Sequence, residues 1–284
     1  MAFINAILSA VLAALNVVVN ALANIIFAPI GFLPGWLSNT IISAIMGVLL
    51  LILFKYTSNQ KAIGKTRNYI KANMLALKLF KDELSVTFAS QGKMFWGAFR
   101  LLFHSLRPLL VMMIPVVMIL AQMAGWYQFR PLQPGETALV TIKLNNNSSD
   151  TLPDVKIAPL AGADITIGPV HIAQLNEVRW QIQAQQIGQH DLVFNVAGQD
   201  YHKQLHVGPG LQKISPLRPG WKWTDIILYP LEKPFPADSP VQQISIDYPD
   251  RPGWAEGTNN WMIYFFLVSM VFALLFKSAL KVKI

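Results

Sequence analysis

Side chains able to do chemistry are few in this chain, and their spacing argues against an active site. His171, His190, His202 and His206 fall in one stretch of alternating polarity. His202 and His206 lie four apart there, on one face of a strand but about 13 Å from each other, too far for one metal ion. All four read as surface histidines. Asp247, Asp250 and Glu256 precede a late apolar run with no partner for acid–base work. No GxSxG, HExxH, Walker or GxGxxG spacing occurs. With Cys at 0 there is no thiol nucleophile, thiolate metal site or disulfide framework. The expectation is a non-enzyme with no catalytic residue, no metal and no cofactor. What remains are polar groups in or beside apolar runs: Ser43, Gln122 and Ser269 within them, and Lys55, Arg100, His104 and Arg107 at their ends. Polar side chains in hydrocarbon are expensive and tend to be kept for function.

The elements that hold these residues are membrane segments. Hydrophobic residues make up 53% of the 284 and charged ones only 13%, and the apolar excess comes in blocks. Residues 1–54 carry no charge. The stretch 55–107 has ten Lys/Arg against two acids, 128–260 has ten against thirteen, and 277–284 adds three lysines. Lys and Arg near span ends stay in the cytoplasm. That rule puts 56–107 and the C-terminus inside and 128–259 outside, so the basic pI of 9.6 reports orientation rather than affinity for nucleic acid.

Expected in chain order are an N-terminal amphipathic or interfacial helix (1–35), a first span (36–55), a cytoplasmic helical hairpin (56–107), a second span (108–127) kinked at Pro115, a β-sandwich (128–210), a Pro/Trp-rich tether (211–259), a third span (260–277) and a cytoplasmic tail (278–284). About 20 apolar residues cross a hydrocarbon core. In the first helix Asn5, Ser9, Asn16, Asn20 and Asn24 share about 100° of arc. That stripe suits a helix lying in the outer interface, or one crossing and bonding a partner helix. In the hairpin, Ile63, Thr66, Ile70, Asn73, Leu77 and Phe80 keep a 3/4 spacing, as do Phe88, Gly92, Phe95, Phe99, Leu102 and Leu106, with a bend at Asp82-Glu83. Its outer faces are basic and suit either a specific partner or anionic headgroups.

Beyond the second span the period changes to two. ALVTIKL (138–144), DVKIA (154–158), ADITIG (163–168), VRWQIQA (178–184), HDLVFNV (190–196) and YHKQLHV (201–207) read as strands between turn-forming residues, an extracytoplasmic immunoglobulin-like β-sandwich. The tether contains one more strand-like run, QQISIDY. Asn146 and Asn147 fit the glycosylation pattern, which means nothing in a bacterial chain. Met112, Met113, Met118 and Met123 crowd the second span, adaptable side chains that fit varied apolar guests or fill gaps between helices.

This order of parts, with LRPLLVMMIPVVMILAQM (106–123), a basic-Pro entry into a Met-rich span with a second Pro, resembles the Oxa/YidC/Alb insertase superfamily. The likeness is to its compact three-span branch, which includes the TMCO-type proteins, the third subunit of the ER membrane protein complex and prokaryotic relatives. It covers about residues 1–127 and 258–284. That branch has no counterpart to 130–256, and many superfamily members keep a basic residue in the groove that these spans lack. The resemblance implies a groove open to the cytoplasm, with Lys55, Arg100, His104 and Arg107 at its mouth and Ser43, Gln122 and Ser269 inside. It also implies that the protein assists insertion or assembly of membrane proteins in the bacterial inner membrane. Its partners would be the lipid bilayer, nascent or client membrane proteins and the ribosome, with no specific nucleic-acid sequence. The alternative is a membrane-anchored Ig-like scaffold or complex subunit that binds a periplasmic protein.

Overall fold

The computed structural model describes residues 2–80, 83–145, 153–159 and 162–282. Asp82 of the expected bend and Asn146 and Asn147 of the glycosylation pattern lie outside them. The chain forms two compact units, one of residues 1–39 and 117–264, the other of residues 40–116 and 265–284.

The first unit holds the β structure. Strands β1 (Thr137–Leu144), β2 (Val155–Ile157), β3 (Ala163–Ile172), β4 (Glu177–Ala184), β5 (Gly188–Val196), β6 (Gln199–Val207), β7 (Leu217–Pro219) and β8 (Val241–Ile246) form two antiparallel sheets, ordered β3-β4-β1-β8-β7 and β2-β5-β6. Alternation decides which side chains go inward. Val140, Ile142, Val178, Trp180 and Ile182 from the larger sheet share one core with Leu192, Phe194, Val196 and Leu205 from the smaller. Trp180 leans on Phe194 across the two sheets, ring centroids 5.6 Å apart. All six runs expected as strands between 138 and 207 are strands. The stretch expected as a tether does more than return the chain: QQISIDY becomes β8, paired with β1 from Val140↔Ile246 to Leu144↔Val241. Without it, the apolar strand β1 would present an unpaired edge, which sheets avoid.

The same unit contains helix α1 (Ala2–Phe27) and the short helix α5 (Trp223–Leu228). The Asn stripe faces α5 and its flanks. The Asn5 amide donates to Trp221 O at 3.1 Å and its oxygen accepts from the Trp223 N–H. Asn16 donates to Ile226 O and Asn20 to Pro230 O, both at 2.7 Å. Asn16 and Asn20 thereby satisfy carbonyls left over in and just past the last turn of this short helix, and Asn5 bonds the chain just before and at its first residue. On the opposite face Val11, Leu15, Val18, Leu22 and Ile25 are exposed.

The second unit is helical. Helices α2 (Gly35–Thr57) and α6 (Trp261–Lys277) reach into it, and within it Gly47 meets Ser269 so closely that a Cβ on Gly47 would overlap the Ser269 backbone. Small residues at such crossings are how apolar helices pack without a hydrophobic driving force. Helix α3 (Gln60–Leu79) starts where the Asn59 side chain accepts the Ala62 N–H at 3.1 Å. Helix α4 runs from Leu84 to Tyr127 without a break. The hairpin's second arm and the second span, expected as separate elements meeting at Arg107-Pro108, are therefore one 44-residue helix. Each proline removes one ladder hydrogen bond, and the apolar helix continues through both.

The seam between α3 and α4 differs from the expected one mainly on α4, and on α3 only at Phe80, which is exposed. On α3, Ile63 and Thr66 are buried as expected. On α4, Phe88, Phe95, Phe99, Leu102 and Leu106 face outward, and the inward series is Ser90, Met94, Gly97, Leu101 and His104. Both series have 3/4 spacing. The one with Ser90 and Gly97 lets the backbones approach: a Cβ on Gly97 would sit 2.7 Å from Ile70 Cγ1.

Asn5–Ile30, Gly35–Thr57 and Pro108–Tyr127 are long and apolar enough to cross a membrane, which marks a multi-pass membrane protein. The third long apolar stretch is thus the N-terminal one. The expected third span, α6, has 17 residues, about 25 Å at the α-helical rise.

Candidate functional site

A cleft of about 640 Å³ lined by basic and aromatic side chains lies between α3 and α4. Lys61, Lys65 and Tyr69 line it from α3, and Trp96, Arg100 and His104 from α4. Lys61 with Lys65, and Arg100 with His104, are each spaced i, i+4, the spacing that puts two side chains over one patch of helix surface. Among the described residues no Asp or Glu lines the cleft, and no carboxylate forms an ion pair with Lys61, Lys65 or Arg100. A smaller cleft beside it is lined by Thr57, Ser58, Asn59, Phe103, His104 and Pro108. His104 belongs to both.

Of the seven residues expected around a groove, the structure brings Arg100 and His104 together. Lys55 is half-buried in the last turn of α2 and lines neither cleft. Arg107 lies within α4, with its side chain outside the described residues. Ser43 is buried on α2. Ser269 is buried, and its hydroxyl donates to Phe266 O of its own helix at 3.1 Å. Gln122 belongs to the other unit, buried, with its amide donating to Asn20 Oδ1 at 2.9 Å. Asn20 Oδ1 also accepts from Lys213 Nζ at 3.1 Å, so Gln122 helps hold α1 in place.

The ends of the apolar helices in the first unit carry an aromatic and polar belt. Phe27 stacks on Trp126 at 4.7 Å, and Trp36 and Tyr264 flank Trp254. Ser38 Oγ and Tyr127 Oη share a hydrogen bond of 2.7 Å, and Asn39 donates to Ala255 O at 2.8 Å. Glu256, expected to have no partner, lies 3.7 Å from Arg251 with both side chains largely buried. Burial pushes its carboxyl up, while Arg251 and the Trp36 N–H at the start of α2 pull it back.

No family model, curated protein or solved structure matches this chain.

Two features of the β unit lay outside the sequence reading. Lys203 points inward from β6, fully buried, with Nζ donating to Ser215 O at 2.6 Å and ion-paired to Glu232. Burial lowers its pKa, against the raising effect of Glu232. The signal was present: Tyr201, Lys203, Leu205 and Val207 share one parity of an alternating strand. His206, expected at the surface, is buried because the alternation fails at the end of β6. Its pKa is lowered, first by burial and then by Lys203. His202 does lie at the surface, 2.6 Å from Asp191. Among the described residues no group of three or more His, Asp or Glu could hold a metal ion.

Proposed function

We propose that the protein is an insertase-like membrane protein of the Oxa/YidC/Alb superfamily type, assisting insertion or assembly of membrane proteins in the bacterial inner membrane. One observation carries the reading: an antiparallel basic hairpin, α3 with the first half of α4, springs from one apolar helix and runs unbroken into another. A polypeptide entering the bilayer from the cytoplasm would meet this hairpin first. The charge asymmetry supports a hairpin and C-terminal tail in the cytoplasm and an immunoglobulin-like sandwich in the periplasm, with α6 as a short final span. Helix α1 then lies along the outer interface, since its polar face is already bonded from Asn5 to Asn20 by the α5 segment.

The test is photocrosslinking from Leu49 on α2 and Met113 on α4, both outward-facing, to ribosome-bound nascent chains. Adducts with emerging transmembrane segments at either position are expected. Adducts with lipid alone at both would remove the insertase reading.

The scaffold reading has one observation in its favour. The edge strand β3 leaves Ile165, Ile167 and Val170 exposed, an edge suited to pairing with a strand from a periplasmic protein. If the β unit fused to an unrelated membrane anchor restored a deletion strain, this reading would replace the first.

A further inference from the structure

We infer that the cleft between α3 and α4 is a binding site for the phosphate headgroup of an anionic glycerophospholipid, whose acyl chains lie along the adjacent apolar stripe of α4.

Three observations converge. The cleft gathers Lys61, Lys65, Arg100 and His104 around about 640 Å³, with no acid among the described residues of its lining. Three cations, Lys61, Lys65 and Arg100, in one concavity repel one another unless an anion sits among them, and Arg with Lys is the pairing that suits phosphate oxygens. The cleft also lies at headgroup level by its place in the chain. Asn59, on its rim, is two residues past the end of α2, and His104 is four residues before Pro108, where the apolar stretch of α4 begins. Tyr69 and Trp96 also line it, the two side chains that settle where one end is apolar and the other wet. Finally, Phe99, Phe103, Leu110 and Ile114 form an exposed apolar row that runs from the level of the cleft into the apolar stretch of the same helix, within about a quarter-turn of Trp96 and Arg100 at 100° per residue. A water-soluble anion would leave that row uncovered. A phospholipid covers it while its phosphate fills the cleft. Basic pockets between helices on the cytoplasmic side are sites of this kind.

The inference stands apart from the insertase reading, since the lipid site requires a bilayer but no client. It is tested by native mass spectrometry of the full chain, released from neutral detergent carrying phosphatidylglycerol and phosphatidylcholine of identical acyl chains. Wild type is expected to retain phosphatidylglycerol preferentially. The K65Q/R100Q variant should retain roughly 30-fold less, from about five-fold per basic side chain. K71Q/K78Q removes the same charge from exposed positions of α3 outside the cleft and should retain it as wild type does. K61Q, measured beside the double variant, should show the single-residue loss.

Equal retention of the two lipids by wild type, or equal loss in both double variants, would overturn the site. Displacement of the lipid by millimolar inorganic phosphate would assign the cleft to a free anion, and displacement by a short single-stranded RNA at lower concentration would assign it to nucleic acid. Either result also overturns the lipid assignment.

Discussion

Lys203 shows how one side chain can fix a whole segment. It occupies an inward position of β6 and draws Glu232 and the Ser215 carbonyl in from the stretch between β6 and β8, so that stretch is pinned to the sheet by charge as well as by packing. A buried ion pair adds little over an apolar pair of the same size, but half of one is costly. Lys203→Ala is therefore expected to destabilise the strand region by about 3–5 kcal/mol, read as faster hydrogen exchange of the β5 and β6 amides. The K203M/E232L pair should return exchange close to the wild-type rate. If K203A alone left exchange unchanged, the pair would have no structural role. Of the asparagines of α1, Asn5, Asn16 and Asn20 each close an open carbonyl, while the oxygens of Asn20 and Asn24 both accept from Lys213 Nζ, at 3.1 and 3.3 Å.

Among the elements, the α3–α4 hairpin tests how helices choose faces. Two series on α4 had the right spacing, and the bulky one looked the better core. Close approach decides between them: Gly97 lets α3 come near, with Ile70 Cγ1 only 2.7 Å from where a Cβ would sit, whereas the bulky row would hold the two helices apart. Gly97→Leu should force α3 and α4 apart, costing about 1–3 kcal/mol as overpacking does. Phe95→Ala, on the outward row, should change stability by less than about 0.5 kcal/mol. Thermal unfolding of the detergent-solubilised chain, followed by helical circular dichroism, distinguishes them. A larger loss for Phe95→Ala would restore the bulky seam. The strands were legible throughout 138–207 because alternation survives burial on one side. QQISIDY was legible as a strand, but its partner was not, since pairing with β1 joins residues about a hundred positions apart.

For the molecule as a whole, the absence of native cysteine allows its orientation to be mapped one thiol at a time. With a membrane-impermeant maleimide on intact cells, Gln199→Cys in β6 should label directly. Lys71→Cys on α3 should label only after permeabilisation. Ala2→Cys should label from outside if α1 lies along the outer face, and only after permeabilisation if α1 crosses. Labelling of Lys71→Cys on intact cells would invert the topology and remove the cytoplasmic hairpin from the proposal. Arg100 and His104 were named from the sequence by their position near a span end. The cleft they share with Lys61 and Lys65 depends on which faces of two helices meet, and spacing alone admitted two answers on α4.

The sequence by itself determined the apolar stretches, the charge asymmetry between their ends, the strand runs and the polar face of α1, because each is a local property that repeats every two or every 3.6 residues, or is a count of charges. Tertiary structure decided the rest: the α4 seam, the unbroken passage through Pro108, the place of β8 beside β1, the carbonyls that receive the Asn stripe and the burial of Lys203 and His206. These depend on which surfaces approach one another, and chain-distant contacts leave no period in the sequence.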